Sequence, residues 1–444
     1  MKHLKKTLSI VIAVMMVLPT LSGCATSKEV PSAAQSSSIP SSSQAESIPS
    51  APAEGHAFSG KQALAYADQY TSFGLHRTGT ETEIASTKWV AEELERIGFD
   101  TELQELKFKR FDLKDCKVTV DEKEIKSFPF WFPASTGDKP IQAPLVIYDE
   151  KNPDSMTGKI VYYDMPGMQT NADISPIAAK AKEAGALAVI ATVIHPNGLP
   201  SGQNTLESNT EKELPLPAAI ISMTEKGYMA EAAKKNATAS VLINGNVVSD
   251  AKAYNVIGKI DNQSDQWVVV TTPLSGWFTC NAERAGGVGL FIELAQTVKD
   301  WDKSVNYLFI GNTGHELNFM GAHASETFAP SPEKVKLWLH CGSAIAAKEP
   351  IAENFKFLGF SEDIAKQVTA AFSDVSSVTV QNNKEKLMQS ELGSFISKGY
   401  TAFGLYGANK DFHTQADTSD GISESELTKL GESIVSLFKE VLKS

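Results

Sequence analysis

Between Glu81 and Gly98 the apolar residues Ile84, Val90, Leu94 and Ile97 recur among Glu and Lys at helical spacing, and Gly98 offers a C-terminal stop. The pattern predicts a helix followed by a strand over Phe99 to Leu106. From Ala251 onward, short apolar runs alternate with helical patterns. Strands are expected over 267–274, 305–311, 335–340, 378–381 and 400–406, and helices over 285–298, 361–372 and 423–442. Such alternation predicts an α/β fold with a mixed, mainly parallel sheet and helices on both faces. In such sheets, ligand sites gather at the carboxyl ends of the strands.

The middle of the chain, residues 128–249, has a pattern of its own. Strand runs at 145–148, 158–164, 184–190 and 215–222 are interleaved with helices near 174–184 and 224–235. The succession resembles a protease-associated domain, a small β-rich module inserted into exported peptidases. Tyr254-Asn255-Val256-Ile257-Gly258 then returns to the main body, so residues 56–127 and 250–444 form one α/β domain around a 128–249 insert.

The amino terminus reads as an export signal. A basic stub (Lys2, Lys5, Lys6) precedes an apolar run from Leu8 to Leu18 that is shorter than the roughly 20 residues a spanning helix needs. Leu21-Ser22-Gly23-Cys24 resembles a bacterial lipobox. This implies removal of residues 1–23, lipidation of Cys24, and a chain held on the extracytoplasmic face of the cell membrane by that lipid alone. Residues 24–55, almost wholly Ser, Pro, Ala, Gln and Glu, have too little apolar surface to fold and read as a tether.

The net charge of −12 is spread without acidic or basic blocks, which argues against nucleic acid as a partner. Beyond Cys24 there are three widely spaced cysteines, Cys116, Cys280 and Cys341, which imply no disulfide framework. Cys280 and Cys341 each lie near a candidate site residue, which leaves a pair between them open. Buried free thiols are the plainer reading.

Candidate chemistry clusters after the strands. Glu283, His315-Glu316, His340 and Phe412-His413-Thr414 each follow or close a predicted strand, and their Glu and His are residue types that bind zinc through nitrogen or oxygen. His195 and His323 lack this context and read as packing or surface residues. His315-Glu316 does not make a zincin motif, which needs a second His three residues beyond the Glu on a helix, where Phe319 stands.

With His76-Arg77-Thr78-Gly79-Thr80 and these clusters, the chain resembles the zinc peptidase family of bacterial leucyl aminopeptidases and glutaminyl cyclases. That family shows His-x-Asp, Asp-x-Ala-Ser-Gly, Gly-Glu-Glu, a later Asp and His-Thr-x-x-Asp in turn. Here the first slot holds Pro273-Leu274-Ser275, the bridging Asp is Glu283, Gly-Glu-Glu is Gly314-His315-Glu316, and the later Asp is His340. The segment Phe412-His413-Thr414-Gln415-Ala416-Asp417 is kept. Ser390, Glu391 and Phe395 resemble a substrate-side loop.

The resemblance implies one zinc ion on Glu283, Glu316 and His413. His315 stands at the general-base position, Asp417 behind the ligands, and the activity implied is zinc-dependent hydrolysis of a peptide or small amide, most simply as an aminopeptidase. If His340 joins the metal, the ligand set closes and the role becomes structural or regulatory. Trp277 and Phe278 either fill the lost second-zinc volume or pack in the core. Two alternatives stay open: a glutaminyl-cyclase-like activity, and a pseudoenzyme that binds peptides without zinc.

Overall fold

The computed structural model describes residues 56–168, 173–205, 210–301, 303–351, 356–380 and 390–443. The export segment, Cys24 and the tether to Gly55 lie outside the described residues. Helix α1 (Gly60–Ser72) is capped by Ser59, whose hydroxyl accepts from the Gln62 amide. Helix α2 (Glu81–Ile97) starts at Thr80, whose side chain accepts from the Glu83 amide, and stops at Gly98 with φ 114°. There the left-handed backbone suits a residue without Cβ.

Strands β1 (Asp100–Val120), β2 (Lys123–Ile125) and β3 (Ser127–Pro129) follow, then β4 (Ile141–Ile147), β5 (Ile160–Met168), helix α3 (Ser175–Glu183), β6 (Ala188–Ile194), β7 (Ala218–Ser222) and helix α4 (Lys226–Lys234). The chain returns through the 23-residue β8 (Thr238–Ile260), which pairs antiparallel with β1 from Asp100↔Lys259 to Val120↔Ala239. The expected strand ending at Leu106 is therefore only the start of β1. Its outward positions are charged or half-exposed, so hydrophobic alternation fades while backbone pairing continues. The position 249/250, read as the end of the insert, falls inside β8.

After β9 (Trp267–Pro273), a π-helical turn at Asn281–Ala285 leads into helix α5 (Gly286–Val298). Every residue of α5 is buried. Gly289 lets α5 approach α1, because a Cβ there would stand 2.1 Å from the Ala63 carbonyl oxygen. The remaining elements are β10 (Asn306–Asn312), α6 (Met320–Ser325), β11 (Val335–Cys341), β12 (Lys356–Phe360), α7 (Ala365–Ala371), β13 (Thr379–Val380), α8 (Glu391–Ser397), β14 (Ala402–Gly407) and α9 (Glu424–Lys443).

The strand order is β13-β12-β14-β11-β9-β10-β8-β4-β5-β6-β7-β3, with β1 alongside β8. At its centre β10, β9, β11 and β14 run parallel, while β8 and β12 flank them antiparallel. Strand β9 lies between β10 and β11, so the chain leaves it for one neighbour and later returns to the other. This makes a topological switch point whose crevice opens at the carboxyl ends. Pro273, Asn312, Cys341 and Gly407 close the four parallel strands, and the loops after them carry the candidate residues.

Candidate active site

The π-helical turn sets the first part of the rim. It starts from Cys280 in the left-handed region (φ 55°) and buries Glu283 and Arg284 side by side. Asp417 anchors it from the last loop, accepting from the Ala282 amide at 2.7 Å and the Glu283 amide at 2.9 Å. Asp417 therefore orients Glu283 through the backbone. Burial, and then the Glu283 charge, push the Asp417 carboxyl up to about 7.

Arg284 is fully buried and joins what the sequence separates. Its Nε donates to the Ser275 carbonyl at 2.7 Å and its Nη2 to Glu316 Oε1 at 2.8 Å, while Nη2 also lies 3.0 Å from Glu283 Oε1. Burial opposes the guanidinium charge, but Glu283 and Glu316 more than offset this and raise its pKa. In turn, burial raises the Glu283 pKa, yet Arg284 and then His413 hold it down to about 2. Ser275, at the expected position of an orienting carboxylate, donates to Glu316 Oε2 at 2.8 Å and accepts from the His315 amide at 3.0 Å. His413 Nε2 is 3.4 Å from Glu283 Oε1, and its ring stacks on Phe412 at 4.1 Å.

A second cluster forms around Glu391 at the start of α8, where Ser390 is the cap and accepts from the Gly393 amide. Glu391 Oε1 lies 2.9 Å from His315 Nδ1, and Glu391 Oε2 lies 3.6 Å from His340 Nε2. Burial raises the Glu391 pKa, but the His315 hydrogen bond and charge lower it overall. His340 is buried, and its Nδ1 is 3.0 Å from Thr271 Oγ1. Burial lowers its pKa to about 4 despite Glu391, so the ring is neutral at ordinary pH. Phe395, expected on the substrate side, is buried and stacks on Trp338 at 4.2 Å behind His340.

The predicted residues thus converge, but in two groups. Glu283 and Glu316 flank Arg284, with His413 facing Glu283 and Asp417 holding the Glu283 backbone; His315 and His340 share Glu391. Sequence reasoning missed Arg284 and Ser275. The available signal was Glu283-Arg284 itself, an adjacent charge pair in a stretch otherwise composed of Ala and Gly, where a buried cation needs a buried partner.

Glu283 Oε1 and His413 Nε2 make no hydrogen bond among the described residues, but Oε1 is already in an ion pair with Arg284 Nη2 at 3.0 Å and faces His413 Nε2 at 3.4 Å. The third expected ligand is not available, since Glu316 has one oxygen on Ser275 and the other on Arg284. A guanidinium already supplies the positive charge between the two carboxylates. Among the described residues, no group of three or more His, Cys, Asp or Glu is arranged to hold a metal ion. The residues as placed do not fit zinc.

Cys280 and Cys341 are buried free thiols, and Cys116 is free and half-buried. Trp277 and Phe278 pack against aromatic rings in and just after β3, with Trp277 5.3 Å from Trp131 and Phe278 5.1 Å from Phe128. His323 is exposed. His195 is buried just after β6, its Nδ1 2.6 Å from Asn197 Oδ1.

Residues 255–438 match the model of Peptidase family M28. A zinc aminopeptidase from Bacillus subtilis superposes with a TM-score of 0.68 at 17% identity, over 86% of this chain and 95% of that one. An aminopeptidase from Aneurinibacillus sp. strain AM-1 gives 0.65 at 15% identity, over 86% and 94%. A peptidase M28 precursor from Shewanella amazonensis SB2B gives 0.67 at 17% identity, over 85% and 92%. Comparison with curated proteins gave no match. The chain therefore has the fold of a zinc aminopeptidase, and over residues 255–438 its sequence matches Peptidase family M28.

Proposed function

We propose that this is a peptidase-fold protein, held outside the cell by lipid on Cys24, that recognises peptides or related amides without zinc hydrolysis. The observation that carries the reading is Arg284, whose guanidinium stands between Glu283 and Glu316, where the resemblance expects metal. One buried cation against two carboxylates satisfies the charge demand that an ion would otherwise meet. The match to Peptidase family M28 supports peptides as the ligand class, and the Leu21-Ser22-Gly23-Cys24 sequence supports the tether.

A second reading, a single-zinc aminopeptidase, is favoured by His413 Nε2, which makes no hydrogen bond among the described residues and faces Glu283 Oε1 at 3.4 Å. Elemental analysis of protein purified without added metal, with a peptide-hydrolysis panel run with and without chelator, separates the two. The binding reading expects zinc far below one per chain and no chelator-sensitive release of amino acids. Zinc near one per chain together with chelator-sensitive turnover would overturn it.

A further inference from the structure

One stretch of the insert, Ser201–Thr205, lies across the rim and bonds to three of its loops. The Gly202 amide donates to the His413 carbonyl at 2.8 Å, and His413 Nδ1 is 3.0 Å from the Gly202 carbonyl oxygen, to which it must donate. The Thr205 amide donates to the Glu316 carbonyl at 2.9 Å, and Thr205 forms a parallel bridge with Leu317. Trp277 Nε1 donates to Asn204 Oδ1 at 2.9 Å. Ser201, Gly202, Gln203 and Thr205 are buried. Upstream, Asn197 Nδ2 donates to Asp411 Oδ1 and Thr414 Oγ1, so the stretch enters already fixed to the last loop.

The contacts to His413 and Glu316 run through the backbone of the stretch. Backbone pairing of this kind is indifferent to side chains and is how extended peptides are held on exposed edges. Two side chains of the stretch also bond to the rim, Asn204 to Trp277 and Thr205 Oγ1 to the Glu316 carbonyl at 3.3 Å, and at Gly202 a Cβ would stand 2.6 Å from Trp277 Cγ. We propose that the rim is a groove for an extended peptide with glycine over Trp277, and that the chain's own Ser201–Thr205 fills it as a tethered ligand. The inference rests on the peptide-recognition reading and names its ligand class. A tethered segment competes at high effective concentration, so a free peptide binds weakly until the segment leaves.

The test uses the full mature chain and a fluorescent peptide that copies residues 199–205, Leu-Pro-Ser-Gly-Gln-Asn-Thr. In Gly202→Val the new side chain meets Trp277 and expels the segment while every rim residue stays. In Thr205→Pro the amide that reaches Glu316 is removed without that clash. Cooperative thermal unfolding of each variant checks the fold. The expected result is that the peptide binds either folded variant about tenfold or more tighter than wild type, and that its Gly-to-Val analogue binds none of them. Equal affinity for wild type and whichever variants fold, or equal binding of the analogue, would overturn the groove. Zinc content measured on the same samples reports separately on the reading beneath it. Stoichiometric zinc and chelator-sensitive turnover, found with tight trans binding, would reject that reading and leave the groove standing.

Discussion

Arg284 Nη2 lies 2.8 Å from Glu316 Oε1 although 32 residues separate the two in sequence. The contact joins the turn after β9 to the loop after β10, so one guanidinium ties two adjacent strand ends. The same nitrogen is 3.0 Å from Glu283. This arrangement fixes the charge at the centre of the rim and sets the first prediction.

Replacing Arg284 with Ala leaves Glu283 and Glu316 buried and facing each other. Loss of one partner from a buried ion pair costs about 3–5 kcal/mol. The variant is expected to unfold at lower temperature than wild type and to regain stability when zinc is added, because Glu283, Glu316 and His413 then have an unclaimed place between them. Binding to the folded state raises stability with ligand concentration. Thermal melts with and without zinc make the measurement. An Arg284→Ala midpoint indifferent to zinc would mean that these three side chains do not assemble as ligands.

Glu391 is the carboxylate that His315 and His340 share, at 2.9 and 3.6 Å. Glu391→Leu removes a charged hydrogen-bond partner from His315, and the expected cost is about 1–3 kcal/mol. Urea unfolding at neutral pH reads it as a lower midpoint at unchanged slope. A midpoint equal to that of wild type would show the pairing to be idle.

Much of this was legible in the sequence, for reasons that differ by element. Helix α2 carried an amphipathic stripe and a glycine stop, and both appear where expected. The parallel strands were continuous apolar runs, the signature of strands covered on both faces. The extent of β1 was not legible, because its long pairing with β8 is made by backbone and leaves charged side chains in water. At the site, strand ends located Glu283, Glu316, His340 and His413, but residue types did not disclose which partner each would find. Glu391 was read as a substrate-side residue, and only the fold brings it between two histidines. Arg284 shows in the sequence only as a charge beside Glu283, a signal that gains its meaning from the full burial of the guanidinium.

The tether makes a prediction independent of the site. If Cys24 carries the lipid, Cys24→Ser leaves the folded part unchanged and removes the membrane hold. A single acyl chain binds membranes only marginally, whereas two or more give stable anchoring. Cell fractionation should find wild type with membranes and the variant in the soluble exported fraction. Equal membrane retention of both would reject lipidation at Cys24 as the anchor.

Glu83 gives a pH prediction whose sign follows from burial. It sits beneath the rim with no exposed surface, accepting from the Gly79 amide at 3.0 Å and from Thr313 Oγ1 at 2.6 Å. Burial raises its pKa from 4.5 to about 7, and the Glu316 charge adds to the rise, while Thr313, Gly79 and Thr87 oppose it. A raised carboxyl pKa means that the folded chain holds the proton more tightly than the unfolded one. The stability from this group is therefore present below about pH 4.5 and is lost as pH rises through about 7. The full shift is worth roughly 3 kcal/mol. His76 and His340 act in the opposite direction, since burial lowers each to about 4 and their cost grows as pH falls below 6.5. Wild type alone would mix these effects, so the quantity to follow is the difference between Glu83→Gln and wild type in chemical unfolding from pH 4.5 to 8. Glutamine keeps the size and an acceptor but never ionises, so the variant should gain on wild type by roughly 3 kcal/mol across that range. A difference that stays flat with pH would mean that Glu83 keeps its charge in the folded chain and that its three donors outweigh burial.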